Sequence, residues 1–178
     1  MKTLDLLPIG DLDAPLLQNL RRALADSFRI PSRVLDARLD PRLAFHPERG
    51  QYHSSELLRA MQPYAAKGAW RVLGVTSVDL YIPILTFVFG EAQMGGPCAI
   101  VSFHRLTQEF YGLPADCDLL AERLIKESVH EVGHTFDLTH CRDYSCAMAP
   151  SHAVEWIDLK EAAFCSSCRA RASEAVTL

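Results

Sequence analysis

The stretch His130-Glu131-Val132-Gly133-His134, followed by Asp137, His140 and Cys141, holds residue types whose spacing could do chemistry. On a helix His130 and His134 are four positions apart, so both imidazoles leave one face and can hold one metal ion. Glu131 lies beside that face, within reach of a water on the same ion, as a general base must be. A hydrolytic zinc site takes three protein ligands and keeps one position open, and His140, beyond a turn-capable Asp137, can supply the third. H-E-x-x-H alone also occurs by chance. The third histidine at a fixed offset, with a helical pattern before it, makes the stretch specific.

A second constellation follows. Cys141 and Cys146 are separated by four residues, and Cys165 and Cys168 by two. Short paired spacings are what a closed four-cysteine zinc site uses; buried free thiols or a disulfide are the alternatives. An ion on Cys141 would restrain the loop that delivers His140. Cys98 and Cys117 stand apart and read as small apolar residues.

The elements that must position these groups follow from periodicity. The pattern predicts a strand over 2–9, a helix over 12–28 with Leu16, Leu17, Leu20, Leu24 and Phe28 inward, and a strand over 33–39. A loop over 40–50 precedes a helix from Ser54 or Ser55 that Pro63 ends or kinks. Val-, Ile- and Phe-rich runs at 70–75, 84–89 and 98–103 read as strands. A helix over 115–136 carries the first two histidines. Asp158 with Glu161 resembles a capping box opening a last helix to about Ala175. This order predicts a mixed α/β (α+β) fold: one domain over 1–178, a twisted mixed sheet with an antiparallel edge strand, and a long active-site helix. The 84–89 strand is expected to pair with 98–103 as that edge, either covered or open to an extended peptide.

The chain has 178 residues, 49 % hydrophobic and 22 % charged, with a net charge of −4 and no long run of either sign. Nucleic-acid and anionic-membrane binding have no electrostatic footprint here. Met1-Lys2-Thr3-Leu4-Asp5 lacks a signal-peptide pattern, and the longest apolar run, Tyr81 to Gly90, is too short to span a bilayer. A monomer in the cytoplasm is expected.

Together the motifs resemble the archaemetzincins of the metzincin clan of zinc metallopeptidases. That family joins the three-histidine motif to a cysteine directly after the third histidine, then continues C-x4-C-x-M and C-x-x-C. Here this reads His140-Cys141, Cys146-x-Met148 and Cys165-x-x-Cys168. A weaker likeness runs upstream through Asp79-Leu80-Tyr81-Ile82-Pro83, Phe87-Val88-Phe89-Gly90 and Ser102-x-x-Arg105-Leu106, covering residues 79–168 in all. The resemblance implies two zinc ions per chain: a catalytic one on His130, His134 and His140, and a structural one on Cys141, Cys146, Cys165 and Cys168. It implies Glu131 as general base and acid, Met148 in a packing turn beneath the first ion, and the 84–89 strand along a cleft for a peptide or protein substrate. Asp137 departs from the family's usual Gly. Either it takes the positive φ that glycine would, or it continues the helix and offers its carboxylate to the metal.

The expected function is therefore peptide-bond hydrolysis by Glu-assisted attack of a zinc-bound water. The competing class is a latent zinc protein that binds peptides without turnover, and hydrolysis of another amide is a third reading. Tyr144 and His152 lie where an oxyanion donor would be wanted.

Overall fold

The computed structural model describes residues 2–65 and 68–177; Met1, Ala66, Lys67 and Leu178 of the expected 1–178 unit lie outside them. In chain order the strands and helices are β1 (Leu4–Ile9), α1 (Ala14–Phe28), β2 (Ser32–Val34), β3 (Phe45–His46), β4 (Gln51–His53), α2 (Ser54–Ala65), β5 (Arg71–Thr76), β6 (Leu80–Tyr81), β7 (Gly90–Ala92), β8 (Cys98–Ser102), α3 (Cys117–His134), α4 (Val154–Leu159) and α5 (Ser166–Thr177).

Five strands form a sheet in the order β2-β1-β5-β8-β7, with β7 antiparallel at the edge and the others parallel. Strands this apolar are buried on both faces. Leu4, Leu6, Leu73, Val75, Ala99 and Val101 pack on one face with Leu17, Leu20 and Leu24 of α1 and Leu124, Val129 and Val132 of α3. Leu7, Ile9, Val72, Cys98 and Ile100 pack on the other with Leu57, Leu58 and Met61 of α2. The period of two along each strand thus feeds two cores.

Four expectations change. The run 84–89 is not a strand: Pro83 opens a turn in which Leu85 N–H donates to Ile82 O at 3.0 Å. Arg49 and Gln51 side chains donate to the carbonyls of Leu85 and Thr86, while Val88 makes only an isolated antiparallel bridge to Leu80 and Phe89 O accepts the Ser102 N–H at 2.8 Å. The antiparallel edge is β7 instead, opposite Ala99–Val101. The predicted 33–39 strand is cut to Ser32–Val34, rejoining β1 only at an isolated Ile9–Leu39 bridge. Within the predicted 40–50 loop lie a 3-10 turn at Pro41–Ala44 and β3, which with β4 and β6 builds a second, three-stranded sheet. The last helix divides into α4 and α5, and Asp158 caps nothing. Its carboxylate takes both arms of Arg123 at 2.7 Å and so docks α4 on α3.

Pro63 sits inside the last turn of α2. Cys98 is buried as expected, and burial pushes its thiol up to about 11, whereas Cys117 is exposed at the start of α3.

Candidate active site

α3 begins on Asp116, whose carboxylate accepts the Leu119 N–H at 2.9 Å, and its second half turns inward, burying Glu127, His130 and Glu131. A buried helix face carrying this many polar groups must find partners for them. His130 Nδ1 lies 2.8 Å from Ala147 O and His134 Nδ1 lies 2.7 Å from Leu138 O. A carbonyl only accepts, so each Nδ1 carries the proton and each Nε2 is left as a lone pair. The two Nε2 atoms face one another 3.1 Å apart. A tetrahedral zinc with Zn–N bonds near 2.0–2.1 Å has N–N edges of about 3.3 Å, so this spacing suits one shared cation.

Past α3 the chain turns at Asp137, which has φ 62°. This is the left-handed conformation expected of the position; the carboxylate points toward Gly95 and stands outside the ligand group. The turn swings His140 back, so that the ring nitrogens of His130, His134 and His140 all lie within 4.8 Å of one another. Burial holds all three imidazoles below the ordinary histidine range, His130 furthest, with nearby Lys160 adding to the effect. Neutral imidazole is the metal-binding form.

Glu131 is 5 % exposed, and burial pushes its carboxyl well above the carboxylate range; Glu127 and Glu91 add to the rise and Lys160 opposes it. A β-carbon on Gly90 would stand 2.6 Å from Glu131 Oε1, so the edge strand comes this close only because residue 90 has no side chain. Gly133 plays the matching part below, where a β-carbon would meet Met148 Sδ at 2.3 Å. Met148 thus packs under the histidine-bearing turn. Neither glycine stood out as a site residue in the sequence, although Phe87-Val88-Phe89-Gly90 carried part of the resemblance.

These groups line a cleft of about 490 Å³, bounded by β7, the 82–89 turn with Ile82, Leu85 and Phe87, and the Pro150-Ser151-His152 segment. His152 lines it and Tyr144 does not; Tyr144 is 72 % exposed elsewhere. The spacing of the motif does not single out Glu127, which has Lys160 behind it. Its position four residues before Glu131 on the same helical face was the available signal.

The sulfurs of Cys141, Cys146, Cys165 and Cys168 also lie within 4.8 Å of one another. The N–H groups of Cys165 and Met148 point at Cys146 Sγ at 3.3 and 3.4 Å, opposing the rise that burial gives its thiol. The backbone N–H of Cys168 draws the Cys165 thiol down to about 7, while burial raises Cys146 and Cys168. Four soft donors at one point, one ionising readily, are a donor set for zinc.

Three imidazoles beside a buried carboxylic acid in an open cleft are the equipment of metal-dependent hydrolases as a class. The sequence pattern of peptidase family M54 matches residues 49–173. The chain belongs to that family. It is 37 % identical over 161 residues to the archaemetzincin of Methanocaldococcus jannaschii, spanning 90 % of this chain and 87 % of that one. Its fold resembles the crystal structure of archaemetzincin from Archaeoglobus fulgidus complexed with malonate, with TM-score 0.83, 34 % identity, and coverage of 95 % of this chain and 99 % of that one. It is also similar to a zinc-dependent peptidase from Methanocorpusculum labreanum, with TM-score 0.85, 31 % identity, and coverage of 95 % and 99 %.

Proposed function

We propose that this chain hydrolyses peptide bonds with a zinc ion held by His130, His134 and His140 and with Glu131 as the proton carrier. The chain is a zinc-dependent metallopeptidase acting on peptides or proteins. The observation that carries the role assignment is the convergence of one ring nitrogen from each of three histidines beside Glu131 in one cleft. A zinc ion there supplies Lewis acidity, polarising a peptide carbonyl and bringing the pKa of a water to about 7.

The chain's own residues do the rest. The free edge of β7 offers backbone N–H and C=O groups to an extended peptide, which lays the scissile bond along α3. Ile82, Leu85, Phe87 and Met94 give the cleft apolar walls that receive side chains and displace water. Glu131 accepts a proton from the attacking water at a carboxylate oxygen and delivers it to the leaving amide nitrogen. Its enclosure favours the protonated form it must reach midway.

Cys141, Cys146, Cys165 and Cys168 would hold a second, structural zinc, giving two ions per chain. Both cores lie on one sheet, which supports a single folded unit. Free cysteines support a reducing compartment such as the cytoplasm. A monomer without nucleic-acid or membrane partners fits the charge pattern, and among the described residues no helix is long and apolar enough to cross a membrane.

Glu131→Gln tests the assignment. The variant should keep its zinc and lose peptide hydrolysis by a factor of about 10²–10⁴, what a general base is typically worth. Parent-like turnover by the variant would overturn the role of Glu131. Zinc-loaded parent that holds peptides from a library uncut would instead favour the binding-protein reading.

A further inference from the structure

Lys160 is the largest fully buried side chain in the described structure, and nothing in the catalytic scheme above uses it. Its ammonium lies 2.7 Å from Glu127 Oε1, with the two side chains 0 % and 3 % exposed. It also donates to Ala149 O at 3.2 Å. Ser151 Oγ donates to the same Glu127 oxygen at 3.3 Å. A buried ion pair is a poor source of net stability, because removing both charges from water costs about what their attraction returns. What this pair does is join two pieces of backbone. Glu127 belongs to α3, one turn before the histidines; Ala149 and Ser151 belong to the segment that runs under and beside the cleft.

The same segment carries the acceptor for His130. Ala147 O holds His130 Nδ1–H at 2.8 Å, and Met148 sulfur packs against Gly133. Ala147 N–H is tied to Ala163 O at 2.9 Å, and Cys141 N–H to Met148 O at 2.9 Å. Lys160 supplies the tie from this segment to α3 two residues beyond Ala147. We infer that the Glu127–Lys160 pair is a positioning device for the three-histidine centre, pinning residues 147–151 to α3 so that Ala147 O fixes the tautomer and orientation of His130. The inference rests on the zinc-peptidase reading of that centre.

The test is zinc affinity of the histidine centre by chelator competition on the two-zinc protein, with thermal midpoint and peptide kinetics recorded alongside. Lys160→Met should weaken zinc at that centre about 10- to 100-fold, the usual effect of losing an outer partner of a metal-bound histidine. It should also lower the thermal midpoint, because Glu127 is left buried without its charged partner. Glu127→Gln/Lys160→Met removes that charge and should recover the midpoint, yet zinc should stay at least tenfold weaker and kcat should fall with KM little changed. A role confined to packing would restore all three together. Parent-like affinity and kcat in the double variant would therefore overturn the inference. Should the double variant not fold, Ser151→Ala keeps both charges and removes one tie; it should weaken zinc at that centre, and no change would count against the proposal. A parent protein that binds only one zinc and cuts no peptide would count against the underlying reading instead, and that is scored before any variant is made.

Discussion

Gly90 is where the edge strand meets the carboxyl group of Glu131, and the closeness leaves no room for a methyl group. In Gly90→Ala the new carbon would fall 2.5 Å from Ile100 O and 2.6 Å from Glu131 Oε1, so the flexible carboxylate must yield. A displacement of about 1 Å at a reacting group can cost about 100-fold, and kcat/KM should fall at least that much with zinc content unchanged. Full activity in Gly90→Ala would contradict this account of the contact. Asp137 forms the turn that follows the helix carrying Glu131. With φ 62° it holds a conformation that an L-residue adopts at a cost of about 1–2 kcal/mol, which Asp bears better than most. Asp137→Gly should be neutral or more stable by up to about 1 kcal/mol, and Asp137→Val less stable by about 1–2 kcal/mol, both read from urea midpoints. The reverse order would show that the turn is not held as described. The positive φ was legible beforehand, since a turn had to fall between His134 and His140. Gly90 was not, because what crowds it comes from Ile100 of the paired strand and from Glu131 on a helix some forty residues further along.

At the scale of elements, the cleft wall at 82–88 shows why an apolar run need not be a strand. Its Ile, Leu and Phe side chains line the cleft, while its carbonyls are taken by Arg49 and Gln51. Asp79 anchors the start of this wall, accepting two bonds from Arg105 at 2.7 Å and one from Gln51 at 2.9 Å. Burial alone would raise its pKa, but those bonds and the Arg105 charge outweigh it, and the carboxyl is held below its ordinary value. A carboxylate lowered in the folded state contributes stability above the unfolded value near pH 4, and loses it as pH falls through the folded one. The stability gap between parent and Asp79→Asn should therefore be constant above about pH 5 and close on acidification below about pH 4. A gap unchanged at pH 2 would refute the ion pair as its source. Arg105→Ala should cost about 2 kcal/mol by leaving Asp79 without its charged partner. The second sheet and the divided C-terminal helix were not legible for a related reason. Strands of two or three residues carry no period, and Asp158 is drawn away from a capping role by Arg123, distant in sequence.

Over the whole molecule, two ligand clusters share one stretch of chain. His140 adjoins Cys141, and Cys146 is followed by Ala147, whose carbonyl holds His130. The candidate donors were readable from spacing within His130–His134, Cys141–Cys146 and Cys165–Cys168, whereas the meeting of the two cysteine pairs, and of His140 with the helix, depends on the fold. What joins the two clusters, through Glu127, Lys160 and Met148, depends on tertiary packing that no local pattern encodes. The shared stretch makes a directional prediction: stripping metal from the cysteine cluster should loosen residues 141–149 and weaken zinc at the histidines, with hydrogen exchange in 141–149 reporting the change. Exchange that stays protected after removal would show the two centres to be independent.

The most direct measurement is the zinc content per chain of protein purified without chelator or added metal. Two ions are expected, falling to one in His134→Ala with the cysteine-bound ion retained. A parent with no more than one ion, unaffected by His134→Ala, would contradict a zinc centre on His130, His134 and His140.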